Sequence, residues 1–229
     1  YKVRSSRAPK ALVNIEISSV TNITTATIPK GFSLQSSLNN TPYFFITNEA
    51  ITKSRENNVL RFENLEVFEG TLITTRYTVD ADNIDQRFIV PDIQADMSTL
   101  KVTVQNSSTD STTQTYTESA DIVQATSTSN IYFVQEVEDG QHEILFGDGV
   151  IGKKLSDGNI VILEYIVTNE TLANGATNLT GSAQIAGSTA YTVTTTSAAT
   201  GGATRETIDS IKFNAPLDYS AQNRAVTVN

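Results

Sequence analysis

The sequence predicts a mainly β protein that ends in a short helix. Of its 229 residues, 33 are threonine and 21 are serine, and β-branched threonine favours strands over helices. Hydrophobic residues repeatedly alternate with polar ones, which is the period of a strand that buries one face. Helical spacing appears only near the carboxyl terminus. The length permits one large all-β domain or two smaller ones.

The strands are predicted from this alternation, starting where Val13, Ile15 and Ile17 alternate with polar residues. Residues 29–31 read as a turn, because proline and glycine favour turn conformations. Ile160–Val167 is nearly all apolar, so we expect it in mid-sheet with both faces covered. The other predicted strands are 32–34, 43–47, 59–70, 73–79, 100–104, 131–137, 142–146 and 191–195.

Both ends of the chain differ from this pattern. Residues 1–10 hold four basic residues and no acid, and we interpret them as a solvated linker or arm. Near the other end, Ile208, Ile211 and Ala215 have helical spacing, with acids in the first turns as the helix dipole favours. We expect Pro216 to end this helix, since proline lacks the N–H that continues it.

Composition excludes several classes of function. The net charge of −9 and a pI of about 4.6 give a surface that repels phosphate, so nucleic-acid binding is not expected. The absence of cysteine excludes disulfides, thiolate metal sites and cysteine nucleophiles. The longest apolar run is far shorter than the roughly 20 residues of a membrane helix. Because the chain starts at Tyr1 and not Met, we interpret it as a fragment of a longer protein.

The glycine-rich stretch HEILFGDGVIGKKLSDGN, residues 142–159, can be interpreted either as tight β turns or as a phosphate-binding loop. Asp-Gly pairs suit tight β turns, because glycine accepts positive φ without steric cost. A phosphate-binding loop would need a helix after the glycines, and here a strand follows. The P-loop pattern also fails, since Gly152-Lys153 is followed by Lys154. We therefore favour turns, with Gly147 and Gly149 as candidates for positive φ.

A metal site and a catalytic site are the remaining alternatives. Asp80, Asp82 and Asp85 lie close together in DADNID, which fails the EF-hand pattern but leaves an irregular calcium site between β domains open. The other interpretation is an Asx-rich turn. His142 is the only histidine and falls on a predicted strand, so no catalytic group is singled out. The calcium interpretation would suit an extracellular β-sandwich adhesin module.

Two blocks of sequence resemble a known family. YFVQEVEDGQHEILFGDGVIGKKLSDGNIVILEYIVT and GGATRETIDSIKFNAPLDYSAQNRAVT are similar to the baseplate wedge proteins of contractile-tailed phages, in the baseplate-J-like family. The first block carries the resemblance through Phe146, Gly147, Asp148, Gly149, Gly152, Gly158 and Tyr165. The second carries it through Gly201, Gly202, Ala203, Glu206, Phe213, Ala215, Pro216, Tyr219, Gln222, Arg224, Ala225 and Val226.

The resemblance implies a structural protein of the virion tail baseplate, present in the host cytoplasm during assembly. It implies that the protein has no enzyme activity, cofactor or metal. It also implies assembly with other wedge proteins and with a second copy of itself, as a dimer. It also implies two β-sandwich-like domains, one inserted into the other: an outer domain of residues 11–75 plus 171–229 with the C-terminal helix, and an inserted domain of residues 76–170. Residues 146–149, 152 and 158 would form a structural turn motif. The candidates for the helix interface are Phe213, Pro216, Tyr219, Gln222 and Arg224.

Overall fold

The computed structural model describes residues 4–18, 23–119, 125–137 and 140–221. The chain is mainly β with one C-terminal helix, as predicted. The strands are β1 Lys10–Ile17, β2 Thr25–Ile28, β3 Ser33–Leu38, β4 Thr41–Ile46, β5 Ile51–Ser54, β6 Leu60–Glu69, β7 Thr71–Thr78, β8 Ile89–Val90, β9 Ala95–Gln105, β10 Thr113–Glu118, β11 Ile131–Glu136, β12 His142–Phe146, β13 Ile160–Val167 and β14 Thr192–Thr200. A 3-10 helix spans Glu170–Ala173, and α1 spans Ile208–Ala221.

The first sheet has five antiparallel strands in the order β14-β1-β6-β4-β3, and β2 and β5 form a separate pair. Alternate residues of β1 and β6 point into one apolar core, where Val13, Phe45 and Phe62 are almost completely buried. Burial in β1 alternates along the strand, as its sequence predicts. The hydrophobic effect of these side chains therefore holds the first sheet to the segments that cover it.

The second sheet has seven strands in the order β7-β13-β9-β10-β11-β12-β8. All of its pairs are antiparallel except β10 with β11. The nearly all-apolar strand β13 lies between β7 and β9, which confirms its predicted place in mid-sheet. Its Tyr165 is fully buried and donates a hydrogen bond of 2.6 Å to Asp92. Burial raises the pKa of the Tyr165 hydroxyl, so this group remains a donor at neutral pH.

The two sheets use separate stretches of chain. Strands of the first sheet come from residues 10–69 and 192–200, and strands of the second come from residues 71–167. Gly70, a bend residue with φ of +127°, joins β6 directly to β7, so the chain passes from one sheet to the other at a single residue. The predicted boundary between residues 75 and 76 falls inside β7, whose residues 71–78 all pair with β13.

Residues 4–10 do not form the solvated arm that their basic composition predicts. Ser5, Ser6 and Ala8 are buried, and the backbone of Arg7 pairs with that of Ala203. Lys10 is already the first residue of β1. The small side chains between the basic residues allow the backbone to lie in a covered groove, where its polar groups find partners.

Helix α1 forms where it is predicted but continues past Pro216 to Ala221. A proline removes one hydrogen bond and crowds the preceding turn, but its fixed φ is close to the helical value. The flanking turns therefore keep the helix in place, and the expectation that Pro216 ends it is wrong. Within the described ranges, no helix is long and apolar enough to span a membrane.

We expect Leu163→Ala to lower the free energy of unfolding by about 2–5 kcal/mol, because it empties a fully buried position in β13. Leu172→Ala is the matched control, since this side chain is 64% exposed, and its change should stay within about 0.5 kcal/mol. Urea denaturation of the two variants measures both values. Equal losses would contradict the assignment of Leu163 to the core.

Candidate functional site

The glycine-rich segment starts at the end of β12 on an aromatic anchor. Phe146 makes edge-on contacts with Phe88 and Tyr116, with ring centroids 5.4 and 5.5 Å apart. Tyr77 packs edge-on against Phe88 in turn, at 5.8 Å. Such contacts add to the burial of the rings, so the first residue of the segment is fixed to the core of the second sheet.

Asp148 organises the turn that follows. Its Oδ1 atom accepts hydrogen bonds from the backbone N–H groups of Val150 at 2.8 Å and Ile151 at 2.9 Å. The bonds from Ile151 and Val150 lower the pKa of the Asp148 carboxyl, because they favour its charged form. The carboxylate therefore takes the place that an anionic ligand would occupy in an amide cradle.

All five consecutive N–H groups from residue 149 to residue 153 donate within the protein. Gly149 donates to the carbonyl of Gly152, while Gly152 and Lys153 donate to the carbonyls of Thr126 and Ser129 at 3.0 and 2.8 Å. The other two donate to Asp148. Because a phosphate cradle needs free amides, this arrangement favours the turn interpretation.

Two of the glycines are required for different reasons. Gly149 has φ of +93°, a conformation that a side chain disfavours. Gly147 has no such φ, but a Cβ atom there would overlap the Gly152 backbone. Gly147 also pairs with Lys154 in an isolated bridge. The segment therefore closes on itself, and Gly158, also at positive φ, forms a second turn before β13.

The closed turn presents two apolar side chains to solvent. Val150 is 74% exposed and Ile151 is 37% exposed. Asp148 accepts from the N–H groups of both residues, and Gly152 donates to Thr126 and accepts from Gly149, so hydrogen bonds hold the tip in shape. Sequence analysis missed these two residues, although valine and isoleucine within a glycine-rich turn are unusual enough to suggest an exposed contact.

The acidic stretch at 80–85 forms turns of its own. Asp80 Oδ1 accepts from the N–H of Asp82, and Asn83 Oδ1 accepts from the N–H of Asp85, which are the bonds of Asx turns. Among the residues that the structure describes, no group of three or more His, Asp or Glu side chains could hold a metal ion. His142 is buried at the start of β12, as its strand position suggests.

The helix candidates are only partly described. Phe213 is 70% exposed and Pro216 is exposed, both on α1. Tyr219 belongs to α1, but the structure describes only its backbone. Gln222 and Arg224 lie outside the described residues. Glu206, two residues before the helix, accepts from the side chains of Ser210 and Asn214 at 2.8 and 3.0 Å. This fixes the first turns and leaves Phe213 facing solvent.

We expect Gly149→Val to cost at least about 1–2 kcal/mol of stability, the strain of a left-handed conformation at a residue with a side chain. Gly147→Val should also destabilise the protein, through overlap with the Gly152 backbone. Val150→Ala is the control, because it alters only an exposed side chain in the same turn. Thermal melting of the three variants measures the effect, and an unchanged melting temperature for Gly149→Val would refute the assignment.

Asp148→Ala should lower stability at neutral pH and have a smaller effect in acid. A carboxyl with a lowered folded-state pKa contributes stability that is fully present above the ordinary value of about 3.9. That contribution disappears as the pH falls through the lowered pKa. Asp148→Asn is the control, because it keeps an acceptor but cannot titrate. Urea unfolding at about pH 7 and about pH 2 measures the difference, and a pH-independent gap between the wild type and Asp148→Ala would contradict this account.

Comparison with known proteins gives two matches. Residues 72–173 match the family described as bacteriophage baseplate wedge protein gp6, third domain, a span that nearly coincides with the second sheet. The chain is also 25% identical, over an alignment of 254 residues, to baseplate wedge protein gp6 of Enterobacteria phage T4. That alignment covers 99% of this chain and 37% of the T4 protein, so the chain spans little more than a third of the length of this relative. The chain is thus similar to a phage baseplate wedge protein over almost its whole length, and its residues 72–173 match the third domain of the gp6 family.

Proposed function

We propose that this chain is a structural part of a baseplate wedge in a contractile phage tail, where it assembles with itself and with other wedge proteins. The observation that carries this proposal is the alignment of 99% of the chain with a baseplate wedge protein. The chain would act as a scaffold and not as an enzyme. It would reside in the virion tail baseplate after assembly in the host cytoplasm.

The proposed domain arrangement is nested, with an inserted domain between two parts of an outer one. The first sheet takes its strands from both sides of residues 71–167, which build the second sheet. The family match over residues 72–173 supports treating this segment as a unit. We therefore place the first boundary near Gly70, five residues earlier than the predicted end of the first part at residue 75. The second boundary is placed near Asn169, one residue earlier than the predicted end of the inserted domain at residue 170.

The turn at residues 146–152 is the first proposed contact with a neighbouring wedge protein. Its exposed Val150 and Ile151 stand on a turn whose amides from residue 149 onward all donate within the protein. A rigid apolar tip loses little conformational freedom when a partner covers it, which favours binding. The proposed role of the glycines and Asp148 is therefore to hold this tip in shape.

The second proposed contact is the exposed face of α1. Phe213 is 70% exposed, and Leu217, about one turn further along the same face of the helix, is 53% exposed. Large apolar side chains exposed together on one element are typical of surfaces that a partner covers. Pro216, Tyr219, Gln222 and Arg224 remain candidates for the same interface. A homodimer through this face is part of the proposal.

We expect Phe213→Ser to impair baseplate assembly without destabilising the chain. Interface hot spots are worth about 2 kcal/mol or more, so association should weaken at least about tenfold. The variant is placed in the phage that encodes the chain, and complete tails are counted by electron microscopy. Lys212→Ser, on an exposed position of the same helix, is the matched control.

Melting of the purified variants separates assembly from folding. Phe213→Ser should melt with the wild type, because its side chain is mostly outside the core. Normal numbers of complete tails with Phe213→Ser would remove this face from the proposal. Sedimentation of the wild type over a range of concentrations tests the dimer, and a monomer at all of them would exclude it for this chain.

A further inference from the structure

The place where the two sheets meet contains two buried carboxylates. Glu69, the last residue of β6, is 1% exposed, and Asp96, near the start of β9, is 2% exposed. Carboxylates are rarely buried so completely unless several donors surround them. Each of them accepts hydrogen bonds from residues on the other side of the junction.

Glu69 belongs to the first sheet and binds the segment that leaves the second. It accepts from the Thr168 hydroxyl at 2.7 Å, from the Asn169 backbone N–H at 2.9 Å and from the Asn169 side-chain amide at 2.6 Å. These donors follow directly after β13. About a hundred residues of chain separate the two sides of this contact.

Asp96 makes the opposite connection, from the second sheet to the entry of the first. Its Oδ2 atom accepts from the backbone N–H of Ala8 at 2.9 Å, two residues before β1. Its Oδ1 atom accepts from the N–H and hydroxyl of Ser98 at 2.9 and 2.6 Å, which fix the carboxylate on its own strand. A further bond joins the Met97 N–H to the Ser5 hydroxyl.

Apolar and ionic contacts close the same junction. Ala8, Ile46 and Ile166 form a small buried cluster with Phe68 and Leu72 packed against it, and these residues come from both sheets. The two sheets therefore also meet through a small buried apolar patch. At its border, Lys30 and Glu164 form an ion pair at 2.9 Å.

We propose that Glu69 and Asp96 are two locks that hold the sheets as one rigid body, excluding a hinge at Gly70. Turning one sheet against the other would separate Glu69 from Thr168 and Asn169, and Asp96 from Ala8. Either separation would leave a buried carboxylate without its hydrogen-bond donors, and this costs far more free energy than breaking an exposed contact. The inference concerns the mechanics of this chain and is independent of the proposed baseplate role.

The absence of cysteine from the chain makes the test simple. Thr115→Cys on β10 and Thr194→Cys on β14 place one spin label on an exposed position of each sheet, for distance measurement by pulsed electron spin resonance. This doubly labelled protein is then prepared with Glu69→Gln, with Asp96→Asn and with both substitutions. Glu66→Gln is the control, since Glu66 lies on the same strand with its side chain 49% exposed and paired with Lys10.

The wild type and Glu66→Gln should each give a single narrow distance peak. Glu69→Gln and Asp96→Asn should each weaken the narrow peak and add a broader population, and the double variant should lose the narrow peak entirely. The circular dichroism spectra of all three should stay the same as that of the wild type, which shows that the strands are kept. A broad distribution in the wild type would overturn the proposal. So would a folded double variant with the same narrow peak as the wild type.

Hydrogen exchange of the wild type covers the case in which the double variant does not fold. If the locks hold, the N–H groups of Ala8 and Asn169 exchange as slowly as those of β13 in the centre of the second sheet. Rapid exchange of these two groups, with β13 still protected, would mean that the junction opens while the sheets stay folded. That result would refute the proposal without any substitution.

Discussion

The hydrogen bonding of buried carboxylates at the junction of the two sheets is the constraint on which the rest of this structure depends. Each sheet has its own apolar core, and neither core determines how the sheets lie relative to each other. Glu69 and Asp96 do so, because a buried carboxylate is stable only where all its donors are in place. The hydrophobic effect therefore builds the two sheets, and the polar contacts of Glu69 and Asp96, together with the small apolar cluster at the junction, set their arrangement.

The same principle operates at a smaller scale in the turn after β12. Glycines allow the backbone to bend and approach itself closely, and Asp148 supplies the acceptor that two of the turn amides would otherwise lack. The turn is thus rigid without a ligand, and its apolar tip remains exposed. A scaffold protein benefits from such surfaces, because a preformed contact is ordered before its partner arrives.

The acidic surface and the exposed apolar positions have complementary consequences. With a net charge of −9, copies of the chain repel one another at long range, which limits unspecific association. The exposed side chains of α1 and of the turn are confined to a few positions. In the proposed role, association would then depend on local apolar contacts at these positions.

The sequence alone determined the fold class, most strands and the position of the helix, because these depend on local periodicity. The alternation of Val13, Ile15 and Ile17 and the apolar run of β13 were sufficient evidence for their strands. The motifs around Phe146 and Phe213 also indicated the resemblance to baseplate wedge proteins, with which the comparisons agree. The tertiary structure alone decided that residues 4–10 are covered, that α1 continues past Pro216, and that Glu69 and Asp96 join the sheets. These features depend on contacts between residues far apart in the chain, and no local pattern records which distant donor will meet which carboxylate.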